Sequence, residues 1–309
     1  MPSHLSAPHF HNEEAAYAFV EARLWPMGAV CPHCGETKRV SRMGGKATRI
    51  GTHKCYACRK QFTVKVGTVF ESSHVPLHQW LQAFYLICGS KKGISSNQLH
   101  RILGVTLKTA WFMSHRIREA MRDGAGFDFG GNGGAVEVDE TFIGREPGEK
   151  GQKAAHSRGP HHKMKVLSLV DRESGQSRSF VIDHINTATV LPIVRDNLAK
   201  EARLMTDEAA WYPAIGREFA EHGTVFHRRD EYVRGDIHTN TVEGFFSLFK
   251  RGMRGIYQHC GKQHLHRYLA EFDFRYSNRV ALGIGDSQRA DLALLGVKGK
   301  RLTYQTARV

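Results

Sequence analysis

The sequence predicts an α/β protein: a five-stranded mixed sheet with flanking helices, preceded by a small cysteine-bearing ribbon and a helical module. Three observations carry that reading. Two C-x-x-C pairs lie close together, at residues 31–34 and 55–58. Residues 123–134 (DGAGFDFGGNGG) hold six glycines in twelve positions and break the chain in two. Behind that break, apolar stretches of strand period alternate with stretches of helical period, whereas just ahead of it the pattern is helical only.

Residues 13–24 (EEAAYAFVEARL) read as a short amphipathic helix, with Ala16, Phe19, Val20 and Leu24 at helical spacing. The first cysteine pair follows, then a basic connection over 38–54 and the second pair. Phe62, Val64 and Val66 then alternate with polar residues as strands do. From Leu77 the period is helical, with Trp80, Phe84 and Ile87 on one stripe, and a second helical pair lies between Ser95 and Met121. Past the glycine-rich run, AVEVDETFIG, KMKVLSLVDRESG, SRSFVID, ARLMTDEA and HGTVFHR supply five strands. A helix over 188–200 separates the third from the fourth. Long helices follow over 241–253 and 264–277. The basic, glycine-containing loop at 144–165 reads as mobile. The resulting division is an N-terminal helix and ribbon over 1–74, a helical module over 75–122, a linker over 123–134, an α/β domain over 135–285 and a tail over 286–309.

Lys and Arg number 44 against 30 Asp and Glu, giving a net charge of +14 and a pI near 9.6. Such a surplus favours a polyanionic partner, because each neutralised phosphate releases a counterion. No stretch approaches the roughly 18 apolar residues of a membrane span. The first residues have neither a basic n-region nor a continuous apolar core, so the expected location is the cytoplasm. In that reducing setting, six cysteines point to metal or redox chemistry rather than to disulfides.

Cys31 and Cys34 are separated from Cys55 and Cys58 by 20 residues. Two residues between cysteines let one tight turn aim both thiolates at a single ion, and two such knuckles complete a tetrahedral site. Four thiolates leave no open position, so the expected cofactor is structural Zn2+. Cys88 and Cys260 read as unligated.

The segment GISSNQLHRILGVTLKTAWFMSHRIREAM resembles a helix-turn-helix. Leu99, Ile102 and Leu103 line its first helix, Gly104 permits the turn and Thr106 caps the second helix. Ala110, Trp111 and Ile117 face the core on this reading, which leaves Lys108, Arg116 and Arg118 for DNA phosphates.

Three carboxylates stand where a mixed sheet exposes them. Asp139 lies in VEVDETFIG, Asp207 closes LMTD, and Glu243 opens a helix; the separations are 68 and 36 positions. Phosphoryl transfer needs nucleophile and leaving oxygen in line, with charge compensated on the other oxygens. Two Mg2+ (or Mn2+) ions do both, and hard cations require carboxylate oxygens. Asp139 would bridge both ions, Asp207 hold one and Glu243 the other. Lys250, Arg251 and Arg254 follow on and just beyond the Glu243 helix and suit a DNA backbone.

Several blocks resemble the DDE transposases of bacterial insertion sequences, in the ISXO-like group with an N-terminal zinc ribbon. They are CPHCG, KCYACRKQFTVKVGTVFESS, LHQWLQAFYLI, VEVDETFIG, LMTDEAAWYPAIG and HTNTVEGFFSLFKRGMRGIYQHCGKQHLHRYLAEFDFRYSNR. The resemblance implies an RNase H-like catalytic fold over 135–285. It also implies binding of terminal inverted repeats and target DNA, cleavage and strand transfer, a homo-oligomer on DNA, and a nucleoid-associated protein. Carried over, the acids are Asp139, Asp207 and Glu243, and Lys250 is the basic residue seven positions after the third. Some members carry asparagine in the third place, and Asn240 shares the helix face of Glu243. Glu243 is favoured because Lys250 fits it and carboxylate is the better magnesium ligand; Asn240 is otherwise a DNA contact. The rival functions are a zinc-ribbon regulator with a non-catalytic relic, and an RNase H-like nuclease that cuts without joining.

Overall fold

A computed structural model describes residues 3–122, 128–146 and 162–303. The chain forms two compact units, one of residues 1–122 with 284–309 and the other of residues 123–283.

The first unit opens with α1 (Glu13–Leu24), capped by the Asn12 side chain on the amide of Ala15. Its core face is Ala16, Tyr17 and Val20. Tyr17 takes the place expected of Phe19, which instead stacks on His9 and carries the Arg23 guanidinium. The ribbon is a three-stranded antiparallel sheet, β1 (Val40–Arg42), β2 (His53–Cys55) and β3 (Gln61–Phe62). Three helices follow: α2 (Leu77–Gly89), α3 (Ser96–Leu103) and α4 (Leu107–Met121). The Glu13 carboxylate accepts from the amides of Leu77 and His78 and so caps α2 from another element. Gly104 ends α3 in the left-handed region, φ 65°, and Thr106 caps α4 through the amide of Thr109. Leu99 and Leu103 are buried as expected, but Ile102 is half exposed.

The second unit is built on five strands: β4 (Ala135–Ile143), β5 (Met164–Asp171), β6 (Ser177–Ile182), β7 (Arg203–Thr206) and β8 (Glu221–Thr224). Their order across the sheet is β6-β5-β4-β7-β8. The first three run antiparallel, and β4, β7 and β8 run parallel. Between β6 and β7 lies α5 (Thr187–Arg195), and between β7 and β8 lies α6 (Tyr212–Gly216). A short hairpin, β9 (Val233–Arg234) with β10 (Ile237–His238), leads into α7 (Asn240–Gly252). A π-helical turn, Met253–Tyr257, then joins α7 to α8 (Lys262–Ser277).

Alternation along β4 and β5 gives the sheet two apolar faces. Val136, Val138, Leu167 and Leu169 pack with Val190, Val194, Tyr212 and Ile215 of α5 and α6. Ile143, Val166 and Val170 pack on the other side with Val242, Phe245 and Phe249 of α7 and Leu265, Leu269 and Phe272 of α8. Glu137 and Asp139, at odd positions like Ile143, therefore belong to the α7 face.

Three segments differ from the sequence reading. The glycine-rich run is not wholly a linker: residues 123–127 lie outside the described residues, but 128–134 are built into the second unit. Phe129 pairs with Leu198, and the amide of Gly130 donates to Asp171. A Cβ on Gly130, φ 74°, would run into the Ala202 side chain, so this glycine serves close packing rather than slack. That same pairing explains why α5 stops at Arg195 rather than 200: Asn197 and Ala199 are engaged by the backbone of Phe129. Most of the basic loop, 147–161, lies outside the described residues. Finally, the expected tail contains α9 (Asp286–Leu295), which packs on α2 in the first unit. Arg289 donates to the carbonyl of Cys88 at 2.9 Å, and Asp291 pairs with Arg23 at 2.8 and 3.0 Å. No helix among the described residues is long and apolar enough to cross a membrane.

Candidate functional site

The four ribbon cysteines converge. Their sulfurs all lie within 4.8 Å of one another, with Cys31 to Cys58 at 3.7 Å and Cys34 to Cys55 at 3.6 Å. A tetrahedron of thiolates on zinc, with bonds of about 2.3 Å, has edges of about 3.8 Å, so the spacing fits that ion. Each knuckle turns locally. Gly35 has φ 77° and its amide donates to the carbonyl of Cys31, and Arg59 has φ 62° beyond Cys58. Trp25, Val40, Phe62 and Val66 pack around the quartet.

Asp139 sits in the middle of the central strand, opposite Ser168 of β5. Its Oδ1 accepts from the amide of Glu140 at 2.7 Å. Burial holds its carboxyl well above the usual range, and the charges of Glu140, Asp207 and Glu243 push the same way. Asp207 follows the last residue of the adjacent parallel strand β7. Burial raises its carboxyl too, while His227 and Arg228 work against the rise. Glu243 stands exposed in the first turn of α7, its Oε1 accepting from the Thr239 hydroxyl at 3.1 Å. The three sequence-selected acids are thus electrostatic neighbours. Among the described residues, however, no carboxylate group is gathered as tightly as the cysteines.

Lys250 lies two turns beyond Glu243 and is half-buried, with its ammonium 5.9 Å from the centre of the Phe246 ring. Burial lowers its pKa, and the charge of Asp139 opposes that change. Asn240, Arg251 and Arg254 are exposed, the last on the π-helical turn. Lys108 is exposed at the start of α4.

Arg116 and Arg118 require correction. Both are buried, at 5% and 1% exposure. Arg116 donates to the carbonyls of Val69, Glu71 and Leu302 at 2.7, 2.9 and 3.1 Å, so its guanidinium staples loops inside the first unit and is not presented to phosphate. The cause is that α4 is enclosed: every residue from Met113 to Arg118 is buried, and no basic face is left outward there. Trp111, expected in the core, is only half-buried.

Three site neighbours escape sequence reading. Glu140, on the α6 face of β4, accepts from Trp211 Nε1 at 3.0 Å and Tyr212 Oη at 2.7 Å. Burial and the nearby Asp207 push its carboxyl up to about 7 despite those hydrogen bonds. Its position beside Asp139 is the one signal available in the sequence. His227 stands between the second and third acids, with Nε2 3.8 Å from Glu243 Oε1 and its own amide donating to Glu208 at 2.8 Å. Glu137 is fully buried under the N-terminus of α7.

Residues 132–277 match the family model of the ISXO2-like transposase domain, and residues 11–61 match that of the transposase zinc-ribbon domain. Over these two spans the chain is similar to the ISXO2-like transposases. Both matched spans agree with the architecture: the ribbon match ends in β3, and the transposase-domain match runs from the glycine turn before β4 to the end of α8. It is 28% identical over 285 residues to an uncharacterized protein in the transposable element ISH50 of Halobacterium salinarum, covering 86% of this chain and 91% of that protein. A cryo-EM structure of the simian T-cell lymphotropic virus intasome in complex with PP2A regulatory subunit B56 gamma matches at 13% identity. That match has a TM-score of 0.29 and spans 63% of this chain and 65% of that one, just under two thirds.

Proposed function

We propose that this chain is a DNA transposase whose second unit is an RNase H-like DDE domain, with Asp139, Asp207 and Glu243 as its catalytic acids. The observation that carries the reading is electrostatic. Asp139 on the central strand is half-buried and burdened by the charges of Asp207, at the end of the neighbouring strand, and Glu243, on the helix covering that face. An oxygen-only set of mutually repelling carboxylates suits hard divalent cations. Magnesium held there would compensate charge on the phosphoryl oxygens during in-line displacement. The strand order and sense, three antiparallel strands followed by two parallel ones, support the RNase H-like assignment.

The reaction is hydrolysis of a phosphodiester at an element end, which frees a 3′-hydroxyl. That hydroxyl then attacks a target phosphodiester and expels the target's own 3′-oxygen. Lys250, Arg251 and Arg254 hold the substrate backbone beside the acids, and Asn240 contacts it from the same helix. In the first unit, structural zinc on Cys31, Cys34, Cys55 and Cys58 supports the ribbon. The helical pair α3 and α4, with Lys108 at its exposed end, engages the terminal inverted repeats.

The test is strand transfer from pre-cleaved ends in magnesium. Asp139→Asn keeps size and loses charge, and the expected loss is at least about a hundredfold, with end binding retained. Glu243→Gln behaves likewise, whereas Asn240→Ala keeps measurable activity; the reverse pattern would reassign the third ligand. Full activity in Asp139→Asn overturns the DDE reading. Cutting without joining by the wild-type chain points to a nuclease, and DNA binding without either points to a regulator.

A further inference from the structure

We infer that Glu137, braced by Arg172, is the positioning residue that sets the helix of the third acid against the strand of the first. The inference rests on the DDE reading above. Glu137 lies two residues before Asp139 on β4, on the same face of the sheet, and exposes no surface. Its Oε2 accepts from the amide of Val242 at 2.8 Å, and its Oε1 accepts from the Thr241 hydroxyl at 2.7 Å. Val242 immediately precedes Glu243. The same Oε1 takes Arg172 Nε at 2.6 Å, and the His238 ring Nδ1 stands 3.1 Å away. Arg172 reaches further, donating to the carbonyls of Asp236 at 2.6 Å and His238 at 2.8 Å. One ion pair, its carboxylate wholly buried, therefore fastens the whole lead-in to α7, residues 236–242, onto the central strand.

The chemistry explains the choice of a charged pair. The first amides of a helix lack partners within the helix and carry its positive end, so a carboxylate satisfies both needs at once. A buried carboxylate is tolerated when a cation meets it, and Arg172 supplies that cation with a planar fork that also binds backbone. Both Glu137 oxygens are thereby committed, so Glu137 orients a ligand rather than serving as one. Groups placed this way behind metal ligands are worth about 10–100-fold in metal affinity.

The test uses the full chain with Glu137→Gln, which keeps an acceptor but loses the charge, and with Thr241→Ala, which removes a single donor. Hydrogen exchange in magnesium-free protein should rise at the amides of residues 241–244 by about tenfold in Glu137→Gln while the rest of α7 stays protected. Mn2+ binding, read by electron paramagnetic resonance as the part lost in Asp139→Asn, should weaken by about tenfold. The magnesium concentration for half-maximal strand transfer should rise in step, with most of the maximal rate recovered at saturation. Thr241→Ala should move each readout the same way by less, and it carries the test if Glu137→Gln does not fold. A merely stabilising ion pair would lower the melting temperature and leave both metal readouts where they were; that result overturns the inference, as does unchanged exchange at 241–244. Absence of any Asp139-dependent Mn2+ binding in the wild type would instead refute the DDE reading, and the exchange data would still judge the clamp.

Discussion

Replacing Glu140 with glutamine should stabilise the magnesium-free protein at high pH and leave it nearly unchanged at low pH. The carboxyl group is half-buried beside Asp207 and pushed up to about 7, against an ordinary value of 4.5. A carboxyl raised in the folded state gives stability that is complete below 4.5 and is lost as pH rises through about 7. That interval corresponds to about 3 kcal/mol, taking about 1.4 kcal/mol per pH unit. Glutamine keeps an oxygen for the Trp211 and Tyr212 hydrogen bonds but cannot ionise. It also removes a charge that burdens Asp139. For a domain of this size, each kcal/mol moves the melting temperature by about 2–4 °C, so a gain of about 6–12 °C is expected at pH 8.5 and almost none at pH 4. Scanning calorimetry of the full chain, in magnesium-free buffer without chelator so that the ribbon is undisturbed, measures both. A variant that melts no higher than wild type at pH 8.5, or that is shifted equally at both pH values, would refute the reasoning. Burial of the ionised carboxylate would then not be what the fold penalises.

Two further perturbations address the first unit. Cys55→Ser should lower the zinc content of protein purified without chelator from one ion per chain and unfold the ribbon while sparing the second unit; zinc analysis and the two calorimetric transitions report it. Arg116→Met should cost the first unit about 3 kcal/mol, because it strands the carbonyls of Val69, Glu71 and Leu302 in a buried setting. Lowered salt should not rescue the DNA binding of that variant, and full rescue would return Arg116 to the phosphate-contact role.

How much of this was legible in the sequence depended on how local each signal is. The two cysteine knuckles are set by two-residue spacings, and β4 and β5 by alternation within eight or nine residues, so both read directly. Asp139 and Asp207 could be picked out because a carboxylate inside or at the end of an apolar strand is conspicuous. Glu137 lies in the same strand, but its role is not legible there. Its meaning comes from Thr241 and Val242, more than 100 residues away, and from Arg172, none of which its own segment announces. Arg116 and Arg118 misled for a related reason. Periodicity shows that α4 has an apolar face but not that neighbours enclose its other faces, and buried arginines look like surface arginines in a sequence. The glycine-rich run misled through composition, since the same residue gives slack in a linker and clearance in a packed turn.

Because α9 completes a unit begun by α1 to α4, the first unit is assembled from the two ends of the chain. On the ribosome its helices emerge early, but the partner that covers α2 arrives roughly 170 residues after α4. At synthesis rates of about 5–20 residues per second, that is on the order of ten to thirty seconds. Through that interval the apolar surface of α2 that α9 will cover waits open, and the second unit has time to fold before the first is closed. Loss of residues 284–303 to a frameshift or stop would therefore damage the unit of α1 to α4 rather than trim an appendage. A fragment ending at residue 122 would inherit the same defect unless residues 284–303 were supplied with it.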